Sequence, residues 1–360
     1  MKAYVLEGIG RLNYKDVPMP ELNSGWALVK VEAAGICGSD IPRIFETGTY
    51  HFPTVPGHEF AGRVADVCDE KDRAWIGRRV GVFPLIPCQE CLACREEQYE
   101  MCRNYDYLGS RRDGGFAEFA AVPVWNLIEL PDGMRMEAAA MLEPASVALH
   151  AVRRLKIEPG DTAALFGLGT IGLIAAQWLR IFGVRTLYAA GHHKEHGMKM
   201  KQTAHASYEY LDAGGKEGDR EVVSRILEAT GGAGVSIAID CAGTNETLAN
   251  CLNCVKPGGQ VLAVGNPKGD MALEKEVYWK LLRKQLRVTG TWNSSFCHDP
   301  GDDWHTVIDA YGKGTLHLTD LITHRFAFDQ LKTGLAAAKA RIEYQNKIMI
   351  VNEHEVRHLR

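Results

Sequence analysis

The sequence predicts an α/β protein of two domains: a β-rich unit from residues 1–146 and 291–360, and a doubly wound parallel sheet over 147–290. Three observations predict it. Ala27, Val29, Val31 and Ala33 alternate with Trp26, Leu28, Lys30 and Glu32, the period-two pattern of a half-buried strand, and further short strand-like runs follow. After Pro144 the order becomes strand, loop, helix and repeats, as expected of a parallel sheet covered on both faces. Gly167-x-Gly169-x-x-Gly172 falls between the first such strand and the first such helix.

Along the first unit, strands are predicted at 60–67, 79–85 and 116–124, with Gly, Pro and charged clusters between them. In the second, strands are predicted at 162–166, 186–190, 236–240, 260–264 and 286–290, with helices at 173–182, 221–229 and 277–284. Residues 299–303 read as a loop. Residues 347–351 read as a late strand, and the tail is expected to pack back on the first unit.

The length, 360 residues, matches about two domains at roughly 150 residues each. Hydrophobic content of 46%, charged content of 24% and a net charge of −4 describe an ordinary globular chain. That balance points to no nucleic-acid partner and no membrane partner. The opening MKAYVLEGIGRLNYKDV lacks the apolar core of a secretory signal, and no run approaches the roughly 18 apolar residues of a spanning helix. A cytoplasmic location is therefore expected.

The stretch from Gly35 to Glu59 opens with GICGSD and closes with GHEF. Cys37 and His58, joined by a later carboxylate, Glu143 of LEP, form the mixed sulfur, nitrogen and oxygen set that keeps a catalytic zinc tetrahedral with one position open. Taken singly, a buried Cys is usually a small hydrophobe and a His a satisfied core residue. Cys88, Cys91, Cys94 and Cys102 strengthen the metal reading, because C-x2-C-x2-C-x7-C suits a closed four-thiolate zinc site. Paired disulfides are disfavoured in a reducing compartment, and the spacing fits an iron–sulfur cluster less well. Two zinc ions per chain are expected.

In the glycine fingerprint, Gly167 and Gly169 allow the turn and close approach of a pyrophosphate, and Gly172 lets helix and strand pack tightly. Thr170 and Ile171 open the helix whose N–H groups face the phosphates. The alternative is a plain structural turn. A nicotinamide dinucleotide, NAD or NADP, is the expected cofactor. NAD-binding units usually end the second strand with an acid for the ribose 2′-hydroxyl, but Gly191 stands there, and His192, His193 and Lys194 follow. The first acid, Glu195, is expected to lie beyond reach, so NADP is favoured over NAD.

Two zinc sites ahead of a dinucleotide unit resemble the zinc-dependent medium-chain dehydrogenases from end to end. DIPRIFETGTYHFPTVPGHEF, YDYLGSRRDGGFAEF and GTWNSS resemble the branch that holds galactitol-1-phosphate, sorbitol and threonine dehydrogenases. The resemblance implies a GroES-like first domain, a catalytic zinc on Cys37, His58 and Glu143, and Glu59 as an alternating or water-mediated partner. It places Asp40 behind the zinc histidine and a structural zinc on the four clustered cysteines. It implies hydride transfer between a secondary alcohol of a polyol, such as galactitol 1-phosphate, and the nicotinamide. A sorbitol- or threonine-type dehydrogenase acting on an unphosphorylated substrate, or a nucleotide-binding protein without turnover, are the alternatives. A homodimer or homotetramer is implied as well.

One position departs from the family. Many members carry a proton-relaying histidine five residues after the catalytic cysteine, where this chain has Pro42. Ser39 remains to bond the substrate hydroxyl, and the rest of the relay is left to water, a cofactor hydroxyl or Glu59. Arg43, Arg111 and Arg112 are the candidates for a substrate phosphate, although Arg111 and Arg112 also read as a surface pair. Cys251 and Cys254 read as packing, Cys68, Cys241 and Cys297 as isolated thiols, and His150 as structural. Met198 and Met200 point to nothing specific.

Overall fold

A computed structural model of the chain describes residues 1–204, 207–213, 218–340 and 342–351, without the side chains of 201–204, 207, 219 and 220. The chain divides into two units. The first holds Met1–Pro144, Ser295–Lys313 and the described residues from Ile322 onward; the second holds Ala145–Ser294 and Gly314–Leu321.

The first unit opens with the antiparallel hairpin β1 (Lys2–Leu6) and β2 (Leu12–Asp16). β3 (Trp26–Ile36) follows, buried at Ala27, Val29, Val31 and Ala33 and exposed at Lys30, as the alternation requires. Leu28, on the opposite face, is buried too. β4 (Glu59–Val67) and β5 (Arg79–Val82) come next; the run predicted to 85 breaks at Phe83 and Pro84, and Leu85–Ile86 forms β6. β7 (Asp106–Tyr107), β8 (Phe119–Pro123) and β9 (Leu127–Glu129) complete the amino-terminal part. β8 is shorter than the predicted 116–124, since Phe116 and Ala117 bond to the hairpin instead. Gly62 crosses β3 so closely that a Cβ would lie 1.9 Å from the Lys30 carbonyl oxygen.

In the second unit, β10 (Thr162–Phe166), β11 (Thr186–Gly191), β12 (Ser207–Asp212), β13 (Val235–Asp240), β14 (Val255–Ala263) and β15 (Arg287–Gly290) form one sheet. Its order is β12-β11-β10-β13-β14-β15 and every pairing is parallel. The reversal beside β10 is the doubly wound signature, with ligands expected at the carboxyl ends of the strands. Helices Thr170–Ile181, Gly218–Ala229, Asn245–Cys254 and Lys275–Arg283 form crossovers. β12 and the helix Lys194–Ala204 before it escaped prediction, because SYEYLD and KEHGMKMKQTA carry no clear apolar period. Cys251 and Cys254 are fully buried in a helix against this sheet, where they pack as small hydrophobes. Met198 is exposed and Met200 buried.

The chain then returns to the first unit with β16 (Ile322–Ala327) and β17 (Lys347–Val351). β17 pairs with β3, giving the order β16-β17-β3-β4-β5-β9, with β8 also on β3. Residues 299–302 are the predicted loop, and Asp302 caps the helix Asp303–Gly312 through the His305 N–H. No helix among the described residues is long and apolar enough to cross a membrane.

Candidate metal centre and dinucleotide site

Three strands build the mixed cluster. In the β3–β4 ladder Gly35 stands opposite Glu59, and in the β17–β3 ladder Ile348 stands opposite Ile36. That register sets Cys37 just past β3, His58 just before β4 and Lys347 at the start of β17. A Cβ on Gly35 would fall 2.2 Å from Glu59 Oε2, so glycine alone leaves space for the carboxylate. Cys37, His58 and Glu59 each present a ligand atom within 4.8 Å of the others, and His58 and Glu59 are buried.

The surroundings orient these groups. Asp40 Oδ2 accepts from the Cys37 N–H at 2.9 Å, and Asp40 Oδ1 lies 3.4 Å from His58 Nδ1. Facing Asp40 through Nδ1 leaves Nε2 of His58 as the nitrogen that could take a metal, the arrangement a carboxylate behind a metal-binding histidine gives. Burial alone lowers the His58 pKa, yet Asp40 and Cys37 beside it raise it well above the ordinary value. The pocket therefore favours a positive charge, as a cation site must. Ser39 Oγ donates to Cys37 Sγ at 3.3 Å. Pro42 sits in the short helix Asp40–Pro42 and offers no proton.

Two residues that sequence reasoning gave no role complete the shell. Lys347 Nζ donates to Glu59 Oε2 at 2.5 Å and to the Ile36 carbonyl at 3.2 Å, in a pair almost wholly buried. Tyr107 donates to Glu143 Oε1 at 3.3 Å and its ring lies 5.9 Å from that of His58. Burial, then Glu143, pushes the Tyr107 phenol well above its ordinary value, so it keeps its proton. Glu143 lies outside the 4.8 Å group; burial pushes its carboxyl up to about 7, with His58, Glu59, Lys347 and Tyr107 as the next influences. Glu59, expected as a secondary partner, is the carboxylate at ligand distance. Nothing in the sequence pointed to Lys347, which is 288 residues from Glu59.

Cys88, Cys91, Cys94 and Cys102 converge in one loop with all four sulfurs within 4.8 Å of one another, Cys88–Cys94, Cys91–Cys94 and Cys91–Cys102 at 3.6–3.9 Å, and no disulfide. Tetrahedral zinc with bonds of about 2.3 Å requires sulfurs about 3.8 Å apart, whereas a disulfide requires about 2.05 Å. The four thiols fit zinc. Burial pushes Cys94 and Cys102 up, while backbone N–H groups bring Cys91 down to about 6.

In the second unit the fingerprint loop joins β10 to the helix Thr170–Ile181. Gly167 has φ +95°, and a Cβ on Gly172 would fall 2.0 Å from the Gly167 carbonyl oxygen. A Cβ on Gly169 would meet nothing, so space for a ligand opens there, at the end carrying Thr170 and Ile171. Gly191 closes β11 against Leu168 of that loop, followed by exposed His192, His193 and Lys194. Of the arginines, Arg112 is exposed and paired with Asp106 at 2.5 Å. Arg111 is no surface partner to it, because its guanidinium lies between the rings of Tyr50 and Tyr105 at 4.2 and 4.5 Å.

Comparison with known proteins agrees with this layout. Residues 23–132 match the alcohol dehydrogenase GroES-like domain and residues 170–313 the zinc-binding dehydrogenase domain. The galactitol 1-phosphate 5-dehydrogenase of Escherichia coli K12 is 30% identical over 352 residues, covering 98% of this chain and all of the relative. The chain belongs to the zinc-dependent alcohol and polyol dehydrogenase family. The sorbitol dehydrogenase of Bacillus subtilis is 28% identical over 98% of this chain and 96% of the relative. The crystal structure of a protein of Sinorhizobium meliloti, assigned as a zinc-binding dehydrogenase and bound to NADP, is similar with TM-score 0.86 at 28% identity, over 97% of this chain and 98% of that one. A GroES-like domain with a dinucleotide-binding parallel sheet is thus the family fold, and the protein is a dehydrogenase.

Proposed function

We propose that this dehydrogenase oxidises a secondary alcohol of a polyol, with a polyol phosphate as the preferred substrate. The observation that carries it is the convergence of Cys37, His58 and Glu59, backed by Asp40 and Lys347, in the first unit. Cys37 and His58 would hold the catalytic zinc with a carboxylate, Glu143 and Glu59 exchanging in that place. Cys88, Cys91, Cys94 and Cys102 would hold the structural zinc. Zinc held in the first of these sites would supply Lewis-acid polarisation to the substrate hydroxyl, and a bound nicotinamide would supply the hydride acceptor. Ser39 receives that hydroxyl. With Pro42 in place of a relay histidine, the proton leaves by water, a cofactor hydroxyl or Glu59. Tyr107, kept protonated, orients Glu143.

The first unit would be the catalytic domain and the second the dinucleotide domain, with Gly167, Gly169, Thr170, Ile171 and Gly172 at the pyrophosphate. We favour NADP, since Gly191 brings no carboxylate to repel a 2′-phosphate and His192, His193 and Lys194 are exposed beside it. The thiolates needed for metal support a cytoplasmic setting. We also propose a homo-oligomer, a dimer at least.

The test combines metal analysis with substrate panels. Purified protein should contain two zinc ions per chain and form NAD(P)H with polyols or their phosphates; no zinc, or no turnover with any of them, would overturn the proposal. A kcat/KM at least tenfold higher with NAD than with NADP, about 1.4 kcal/mol, would overturn the cofactor choice. The sorbitol dehydrogenase relative keeps an unphosphorylated substrate as the second reading.

A further inference from the structure

Beside the mixed cluster lies a cation with an unmet bonding requirement. Arg43 stands in the helical turn Arg43–Thr47, which continues directly from Asp40–Pro42. Its Nη1 is buried and has no hydrogen-bond acceptor among the described residues, while its charge is felt at both Asp40 and Tyr107. Neither neighbour satisfies it. Asp40 Oδ2 is taken by the Cys37 N–H and Oδ1 faces His58, and the Tyr107 hydroxyl is turned to Glu143.

A guanidinium held partly out of water without an anion is costly, and its planar fork matches phosphate and carboxylate oxygens in pairs. The other nearby cations are engaged. Lys347 holds Glu59, and Arg112 is neutralised by Asp106 at the surface. Arg111 is stacked between Tyr50 and Tyr105 with Nη1 on the Tyr105 carbonyl, although its Nε also lacks an acceptor.

We infer that the polyol carries an anionic terminus, a phosphate ester or a carboxylate, and that Arg43 receives it. This rests on the reading of the Cys37 site as the polyol site and goes beyond it in naming the receptor and the shared chemistry of the ligand. Arg43 then acts as a specificity residue: it places the charged end of the chain and so decides which carbinol reaches Cys37 and His58. A neutral polyol offers it only hydroxyl oxygens, which compensate a buried cation less well.

The experiment uses zinc-loaded full-length protein and three substrates that differ at one terminus: a hexitol, its 1-phosphate and the matching aldonate. Wild type should favour at least one anion over the hexitol by tenfold or more in kcat/KM. In Arg43→Met that ratio should collapse towards one through KM, and Arg43→Lys should keep part of it. Zinc content and thermal midpoint report whether each variant has folded. Calorimetric titration of the holoenzyme with the hexitol phosphate, the aldonate and inorganic phosphate reads the receptor without turnover, and Arg43→Met should weaken the tightest of them at least tenfold. Anion binding that depends on Arg43 in a protein oxidising no polyol would sink the polyol reading and keep the receptor. Equal kcat/KM for all three substrates in wild type, an unchanged ratio and affinity in Arg43→Met, or a collapse in Arg111→Met instead would overturn the inference.

Discussion

Glu59 and Lys347 illustrate how a buried charge pair constrains each member at the residue scale. Removing one partner leaves the other charged and desolvated, at about 3–5 kcal/mol, whereas removing both can be close to neutral. Glu59→Gln and Lys347→Met should each lower stability by that order, and the double variant should recover most of the loss in chemical denaturation; additive losses would show that the pair does not act as a unit. His196 gives a pH dependence. Burial, then His193, pulls its pKa down to about 4, against 6.5 in the unfolded chain. The unfolded chain therefore binds the extra proton between pH 6.5 and about 4, so stability is complete above 6.5 and falls as pH drops through that window. Thermal midpoints should follow this trend, and His196→Gln should flatten the part due to this group.

Two elements make contrasting predictions. The loop bearing Cys88, Cys91, Cys94 and Cys102 exposes Leu92 and Met101, so a metal bound by the four thiols would be expected to order it. Cys94→Ser should lower both the zinc count, from two to one, and the thermal midpoint. Cys37→Ser should lower the zinc count equally, abolish turnover and leave the midpoint nearly unchanged. A full midpoint in Cys94→Ser would remove the structural role. At the fingerprint, Gly172→Ala would push a methyl onto the Gly167 carbonyl. That overpacking should cost about 1–3 kcal/mol and weaken dinucleotide binding, read by fluorescence titration.

For the whole molecule, assembly is the question the second unit raises. Among the described residues β15 ends its sheet with an unpaired edge on which Val288 is exposed, and the preceding helix Lys275–Arg283 packs on the core through the half-buried Val277 and Leu281. Tyr278, Trp279 and Leu282 are exposed on that helix. A free edge flanked by aromatic surface is a liability in a monomer and the usual material of a two-fold interface. Light scattering should give a dimer or a multiple of it, and Val288→Lys should shift the mass towards one chain. A single-chain mass for wild type at micromolar concentration would count against assembly.

The sequence by itself determined the alternation of strands and helices in the second unit, the fingerprint between β10 and its helix, and two sets of side chains that the fold brings together, Cys37 with His58 and the four clustered cysteines. These signals are local: metals and phosphates demand particular side chains and glycines at fixed short spacings. The tertiary structure decided the rest. Lys347 reaches Glu59 only because β17 pairs with β3, and Gly35 makes room for that carboxylate only because β3 pairs with β4. Glu143 stands behind Tyr107 rather than in the ligand group, and Arg43 Nη1 lacks an acceptor among the described residues while Arg112 is paired with Asp106; no sequence spacing encodes either fact. Such contacts depend on strand register across hundreds of residues, and register is set by the burial of whole strand faces, not by the residues that finally meet.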